Sequence, residues 1–134
     1  AQRAGDVLQD LGRGVYESPA GVRYTRGSQQ GHRLRHLMAH ATDQPNRTHK
    51  HGVFDSNDIA EIVLLVDEAF KLAERGQYLR RVAEDGRRAY TVSLGRRIGF
   101  IGGEWGKRNG RPPATHLQLV LQGRNLITAY PIRP

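Results

Sequence analysis

The chain has 134 residues and no cysteine, which is enough for one domain and excludes disulfides, cysteine metal sites and thiol catalysis. Its 21 basic residues against 13 acidic ones give a formal net charge of +8, and only Lys50, Lys71 and Lys107 are lysines. Because guanidinium is planar, permanently charged and bidentate, this excess favours nucleic acid as a partner. The longest apolar run, Ile62 to Val66, is far shorter than the roughly 20 residues of a membrane-spanning helix.

The N-terminal third predicts a short linker, a hairpin and a helix. Residues 1–13 contain a possible helix from Asp6 to Leu11 and are expected to be a linker remnant, so that 14–134 form the single domain. Residues 14–27, GVYESPAGVRYTRG, place strand-forming residues around Ser18-Pro19-Ala20-Gly21, which predicts a β-hairpin. From Gly31 to about Thr42, apolar residues at i, i+3, i+4 and i+7 predict an amphipathic helix. Those residues are Leu34, Leu37, Met38 and Ala41, and His32, His36 and His40 share another stripe of the helix.

The remaining segments predict a loop, a long helix and strands. Asp43 to Phe54 reads as a loop that ends in a short extended piece carrying His49 and His51. Residues 57–75 predict a helix that Ser56 can cap and Gly76 can terminate. Its expected buried face is Ile59, Ile62, Val63, Val66, Ala69, Phe70 and Ala73. After a polar stretch, 77–86, strands are predicted at 88–94, 97–101, 115–122 and 125–132, with a tight Gly123-Arg124 turn between the last two.

Helices followed by a meander of strands predict an α+β fold, with the N-terminal helices packed on one face of an antiparallel sheet. Residues 102–114, GGEWGKRNGRPPA, are expected to form a mobile basic loop between two strands. Its tryptophan could stack on a base or anchor the core. The RNA-binding candidates of this loop are Trp105, Lys107, Arg108 and Arg111.

Five of the six histidines lie between positions 32 and 51. Histidine is the side chain whose unperturbed pKa lies near neutrality, so two of them can act as base and acid in one reaction. Such a pair suits RNA cleavage by transesterification, in which one takes the 2′-hydroxyl proton and the other protonates the departing 5′-oxygen. Arg47, Lys50 and backbone amides of the same segment could stabilise the charge on the phosphorane oxygens.

A metal site is the alternative reading of these histidines, since His36 and His40 at i, i+4 could bind one ion and His49 or His51 could add a ligand. Asp43 is the only carboxylate nearby, whereas Arg33, Arg35, Arg47 and Lys50 surround the cluster and would repel a divalent cation. We therefore expect no metal and no cofactor, with solvated histidines of no catalytic role as a further alternative.

The C-terminal strand NLITAYPI supplies two hydroxyls. Strand alternation puts Thr128 and Tyr130 on one face and Ile127 and Ala129 on the other. The two hydroxyls could bond a phosphate, and the phenol could position the attacking group or orient a base. An ordinary strand end with a half-buried tyrosine is the alternative interpretation.

The combination of GHRLRHLMAH, HKHGVF, a long helix and a terminal LITAYPI resembles the C-terminal ribonuclease toxins of contact-dependent inhibition and related polymorphic toxin systems. In particular it resembles the EndoU-like branch of the group that unites barnase, EndoU, colicin and RelE nucleases. The resemblance covers roughly residues 14–134. Its most specific parts are the helix histidines, the His-x-Val-Phe element at 51–54 and the Thr-Ala-Tyr-Pro at 128–131.

By this resemblance the catalytic residues are His36 or His40, His51, Thr128 and Tyr130. The implied activity is metal-independent cleavage of RNA, often tRNA, that leaves a 2′,3′-cyclic phosphate. A sister group of RNase A-like toxins also ends in a Thr-x-Tyr pair but uses one histidine with an arginine, and on that pattern His36 would pair with Arg47. The lysine of animal EndoU enzymes has no secure counterpart here, although Lys50 is close.

The resemblance further implies an acidic immunity protein that covers the site, a larger N-terminal carrier polypeptide, and delivery from the surface or secretions of one bacterium into the cytoplasm of another. Two other functions are weighed against it. One is an RNA-binding module without catalysis, and the other is a metal-dependent nuclease that acts on DNA.

Overall fold

A seven-stranded and a three-stranded β-sheet form the framework of the protein, whose computed structural model describes residues 4–27 and 31–134. The helices of that part are α1 (Ala4–Val7), α2 (Arg33–Met38), α3 (Ile59–Glu74) and α4 (Gly103–Arg108), and α2 continues as a 3-10 turn over Ala39–Ala41. The strands are β1 (Gln9–Gly12), β2 (Val15–Glu17), β3 (Arg23–Tyr24), β4 (Lys50–Phe54), β5 (Arg80–Glu84), β6 (Arg87–Ser93), β7 (Gly99–Gly102), β8 (Pro113–Ala114), β9 (His116–Gln122) and β10 (Asn125–Ile132). The expected α+β fold with a mainly antiparallel sheet is confirmed.

The large sheet has the order β1-β2-β3-β10-β9-β6-β5, and the small sheet has the order β4-β7-β8. Their strands pair antiparallel except for β3 and β10, which meet in parallel at Arg23 and Asn125. The predicted meander is therefore wrong for β7, because this strand lies outside the large sheet and pairs with β4. A side chain at Gly99 would put its Cβ 2.0 Å from the carbonyl oxygen of Val53, so glycine is what permits this close pairing.

Helix α3 packs on β6 and β9 of the large sheet. Asp58 caps it by accepting a hydrogen bond from the Ala60 amide at 2.9 Å, whereas Ser56, the predicted cap, accepts one from the Asp58 amide. Its buried apolar residues are Ala60, Ile62, Val63, Val66, Ala69, Phe70 and Ala73. Ile59 is only partly buried, because the helix begins there. None of the helices that the structure describes is long and apolar enough to cross a membrane.

The two faces of the large sheet have different roles. Cross-strand neighbours share a face, and toward α3 these are the buried sets Tyr90, Leu119, Ala129 and Val92, Leu117. The opposite side, which we call the outer face, carries the sets Thr91, Gln118, Tyr130 and Ala89, Val120, Thr128. Thr128 and Tyr130 thus share a face, as the alternation predicts, while a bulge at Ile127 takes that residue out of the alternation.

The N-terminal segment belongs to the fold rather than to a linker. Val7 of α1 is 8% exposed and joins the core, and β1 pairs with β2 in place of the predicted helix at 6–11. The Asp10 carboxylate accepts a hydrogen bond from the Gly12 amide and closes the turn between these strands. The predicted hairpin is confirmed by the pairing of β2 with β3. Residues 1–3 of the expected linker lie outside the described residues.

Two further segments differ from the prediction. The polar stretch 77–86 contains β5, which pairs with β6. Every residue of β5 is exposed, and its sequence therefore lacks the apolar alternation that would have predicted a strand. The expected loop 102–114 begins with α4 and ends in β8. The Asp43 carboxylate fixes the start of α4 by accepting a hydrogen bond from the Gly103 amide at 2.8 Å.

Candidate active site

A cavity of about 730 Å³ opens between α2, β4, α4 and β10. Its lining includes His36, His40, Arg47, Lys50, His51, Trp105, Thr128 and Tyr130. Strand β4 reaches β10 closely at Gly52, where a Cβ would lie 2.0 Å from the Pro131 carbonyl oxygen. Every residue that the sequence marked as catalytic or phosphate-binding therefore lines one cleft, together with the tryptophan.

His36 lies on α2 and contacts the last strand directly. Its Nε2 is 3.0 Å from the Thr128 hydroxyl, which can donate to a neutral imidazole or accept from a protonated one. His32 positions this helix, because its Nδ1 accepts from the Leu34 amide at 3.0 Å and its Nε2 donates to the Gly14 carbonyl at 2.8 Å. His32 therefore caps the helix and ties it to the N-terminal strands.

His40 occupies the centre of the cleft wall. Its Nδ1 donates a hydrogen bond to the Gly52 carbonyl at 2.8 Å, so the neutral ring carries its lone pair on Nε2. The ring stacks on Tyr130, with centroids 5.2 Å apart and an interplanar angle of 23°. It also stacks on His51 at 4.6 Å and 21°. His40 is thus held in place while one nitrogen stays able to accept a proton.

His51 lies behind His40 and is only 1% exposed. Arg47 donates from Nη1 to its Nδ1 at 3.1 Å, which leaves the ring proton on Nε2. That Nε2 donates to the carbonyls of Ala39 and Thr42, each at 3.2 Å. Both nitrogens of His51 are therefore engaged inside the protein, and these contacts are those of a residue that supports His40 and Arg47.

The environment of the cleft lowers the basicity of its two more accessible histidines. Burial lowers the pKa of His40 to about 4, against the opposing hydrogen bond to Gly52 and with added repulsion from His51, His36 and Arg47. Burial also lowers the pKa of His36, with Arg33 and Arg47 adding repulsion. Both imidazoles are mainly neutral at pH 7. Burial raises the pKa of the Tyr130 phenol, which therefore stays protonated.

The cations and the tryptophan form the outer wall. The Arg47 carbonyl accepts a hydrogen bond from the Glu104 amide at 2.8 Å, which ties the histidine segment to α4. Lys50 Nζ lies 4.3 Å from the centroid of the Trp105 ring, within the range of a cation–π contact. Trp105 is half-buried and lines the cleft, so it is placed to meet a ligand rather than to anchor the main core.

The other residues of the predicted basic loop lie outside the cleft lining. Arg108 forms an ion pair with Glu104 at 3.7 Å, and Arg111 forms one with Asp43 at 3.5 Å. Lys107 and the nearby His49 are exposed. RNA binding by Lys107, Arg108 and Arg111 stays a prediction.

The donor set of the cleft fits a metal ion poorly. Both nitrogens of His51 and the Nδ1 of His40 already have partners within the protein. The Asp43 carboxylate is occupied by the Gly103 amide and Arg111. Within residues 4–27 and 31–134 no group of three or more histidine, aspartate or glutamate side chains is arranged to hold an ion.

Comparison of the chain with protein-family models, with curated proteins and with solved structures finds no match. Sequence reasoning missed that residues 132–134 also line the cleft, since no motif marks them.

Proposed function

We propose that the protein is a metal-independent endoribonuclease that cleaves RNA through attack of a 2′-hydroxyl on the adjacent phosphorus. One observation carries this proposal: two imidazoles, His36 and His40, face the same cavity as Arg47 and Lys50. Two histidines can move protons in opposite directions in one reaction, and cations beside them can stabilise an anionic transition state.

The proposed reaction assigns one histidine to each proton. His40 takes the 2′-hydroxyl proton on Nε2, because its low pKa leaves that nitrogen unprotonated in the free protein. The 2′-oxygen forms a bond to phosphorus, and the bond from phosphorus to the 5′-oxygen breaks. Protonated His36 gives its proton to the departing 5′-oxygen, which leaves a 2′,3′-cyclic phosphate and a 5′-hydroxyl. Exchange with water then returns both histidines to their starting states.

The remaining cleft residues orient these groups and bind the phosphate. Thr128 holds His36 through the 3.0 Å hydrogen bond and can accept from its protonated form. Tyr130 supports the His40 ring by stacking and keeps a neutral phenol that can donate to a phosphate oxygen. Arg47 and Lys50 supply positive charge beside the phosphorane oxygens.

His51 takes a positioning role in this proposal, which departs from the resemblance, where it is the second catalytic histidine. Its two nitrogens hold Arg47 and the backbone after α2, and its ring supports His40. The RNase A-like pattern, with His36 as the one histidine and Arg47 as its partner, remains the second version of the same function. Arg47 and His36 line the same cavity, which supports that version.

The biological setting is proposed from the resemblance together with the charge. A formal net charge of +8 would attract both RNA and an acidic inhibitor. We infer that the domain is the toxic part of a larger polypeptide used in competition between bacteria, that tRNA is its target, and that an acidic immunity protein protects the producer.

Incubation of the purified protein with total bacterial RNA in EDTA tests the proposal. Wild type should give discrete fragments with 2′,3′-cyclic phosphate ends, and His36→Ala and His40→Ala should not. His49→Ala is the matched control, since this exposed histidine does not line the cleft. Intact RNA that is nevertheless bound would instead identify a non-catalytic RNA-binding module. Activity lost in EDTA and restored by a divalent metal, or equal cleavage of DNA, would point to a metal-dependent nuclease.

A further inference from the structure

The outer face of the large sheet continues from the candidate active site. Thr128 lines the cleft, and its neighbours across the strands are Val120 of β9 and then Ala89 of β6. The adjacent row of cross-strand neighbours begins at Tyr130 and continues to Gln118 and Thr91. The Thr91 hydroxyl donates a hydrogen bond of 2.8 Å to the Gln118 side chain. A strand of RNA that leaves the cleft in this direction would first meet the uncharged side chains of these two rows.

Two arginines stand beside this surface. Arg33 of α2 donates from Nη1 to the Ile127 carbonyl at 3.4 Å, which lays its guanidinium over β10 next to Thr128. Arg87 begins β6 two residues before Ala89, and strand alternation puts it on the same outer face. The two arginines come from separate elements and approach the surface from its two sides.

The positive charges of this pair influence each other, while Glu84 and Asp85 line the same surface pocket as Arg87. Burial, and after it the nearby positive charge of Arg87, lower the pKa of Arg33. In the part of the chain that the structure describes, neither arginine forms an ion pair with an acidic side chain, although Glu84 is opposite Arg87 in register. Two like charges held together are unfavourable unless an anion comes between them.

We propose that Arg33 and Arg87 form a second phosphate subsite, which holds the phosphate next to the cleaved one and carries the RNA strand onto the outer face. The proposal rests on the ribonuclease function proposed above. RNA is the occupant favoured by the structure, because the surface is continuous with the cleft and its charge is complementary to a phosphodiester. The subsite is separate from Arg47 and Lys50, which face the reacting phosphate.

Substrates of different length test this subsite. Dinucleoside monophosphates contain one phosphate and can fill only the cleft, whereas random-sequence dodecaribonucleotides can also reach Arg87. Arg87→Ala should lower kcat/KM on the dodecamers about 10-fold, the order expected for one charge-assisted contact, and leave the dinucleotides within about twofold. Arg81→Ala is the matched control, because it removes the same charge from the neighbouring strand, where Arg81 lies toward Tyr90 and the opposite face.

A binding measurement separates this proposal from the catalytic one. A 2′-O-methyl dodecamer cannot be cleaved by 2′-hydroxyl attack, and its affinity is measured over a series of salt concentrations. Arg87→Ala should reduce the slope of log Kd against log salt by roughly 0.7, and Arg81→Ala should not. If wild type cleaves neither substrate, the ribonuclease proposal fails and this measurement still decides the subsite.

Three results would overturn the subsite. One is an equal effect of Arg87→Ala on short and long substrates, and another is an effect on binding no larger than that of Arg81→Ala. The third is unchanged RNA binding with weaker binding of a polyglutamate probe, which would assign the surface to an acidic protein instead.

Discussion

His40 and His51 stack with ring centroids 4.6 Å apart, yet only His40 keeps a nitrogen without a hydrogen-bond partner in the described residues. His40 can therefore exchange a proton, whereas His51 holds the His40 ring in position.

Replacement of His51 should cost stability as well as activity. His51→Ala leaves a cavity at a side chain that is 1% exposed, and it removes the partners of Arg47 and of two backbone carbonyls. We expect the free energy of unfolding to fall by about 2–4 kcal/mol, measured by urea denaturation. The exposed His49→Ala should change it by less than about 0.5 kcal/mol. An unchanged value for His51→Ala would show that its contacts do not support the fold.

The hydroxyl of Thr128 should matter through His36. Thr128→Val keeps the shape of the side chain and removes the hydrogen bond to Nε2, so kcat/KM should fall about 10-fold, while Thr128→Ser should retain most of the activity. Because the two residues act together, the losses in His36→Ala and in the double variant should be similar. Losses that multiply in the double variant would mean that Thr128 acts on the substrate independently.

Activity should be highest at acidic pH. The proposed cleavage requires neutral His40, whose pKa is about 4, and protonated His36, whose pKa lies below 6.5. The value of kcat/KM, which reports on the free enzyme, should therefore rise as pH increases through about 4 and fall again before pH 6.5 is passed. A pH–rate profile and an NMR titration of the histidine ring protons measure both limbs. A profile that still rises above pH 7 would contradict the assignment of acid and base.

Direct removal of either proton-transfer group should have a large effect. His36→Ala and His40→Ala should each lower kcat by about 100-fold to 10,000-fold, the range measured for general acid–base groups. Single-turnover cleavage of an RNA oligonucleotide measures this without interference from product release. A loss of less than about tenfold in His36→Ala and His40→Ala alike would remove the basis of the two-histidine mechanism.

The close approach at Gly52 should tolerate no side chain. In Gly52→Ala the new Cβ would meet the Pro131 carbonyl oxygen at 2.0 Å, which forces β4 away from β10 and widens the cleft. We expect a loss of about 1–3 kcal/mol in the free energy of unfolding and a loss of cleavage. Gly5→Ala is the control, since nothing lies within 4 Å of its added Cβ. Equal stability of the two variants would show that the strands can separate at no cost.

Residue spacing along the sequence predicted the elements whose buried faces depend on that spacing. The spacing of Ile62, Val66 and Ala73 predicted α3 and its buried face, and the alternation around Ala129 predicted which side chains of β10 share a side. The small sheet could not be predicted in this way. It depends on glycines such as Gly99, which allow β7 to approach β4. The sequence does not indicate which strand will pack against such a glycine.

The candidate site was predicted as a set of residues but not as an arrangement. Clustering and the resemblance marked His36, His40, His51, Thr128 and Tyr130, and all of them line the cleft. The burial of His51 could not be predicted, because it depends on backbone carbonyls that become its acceptors only after the chain folds. Strand β5 escaped prediction for a simpler reason, since every one of its residues is exposed.

The hydrogen bond between His36 and Thr128 joins residues that are 92 positions apart. A chain in which β10 has not yet joined the large sheet thus lacks one side of the cleft, even if α2 and β4 are already formed. The proposed cleavage consequently requires the completed fold, and a chain held unfolded, for example while it is threaded through a narrow channel, is expected to leave RNA intact until β10 is in place.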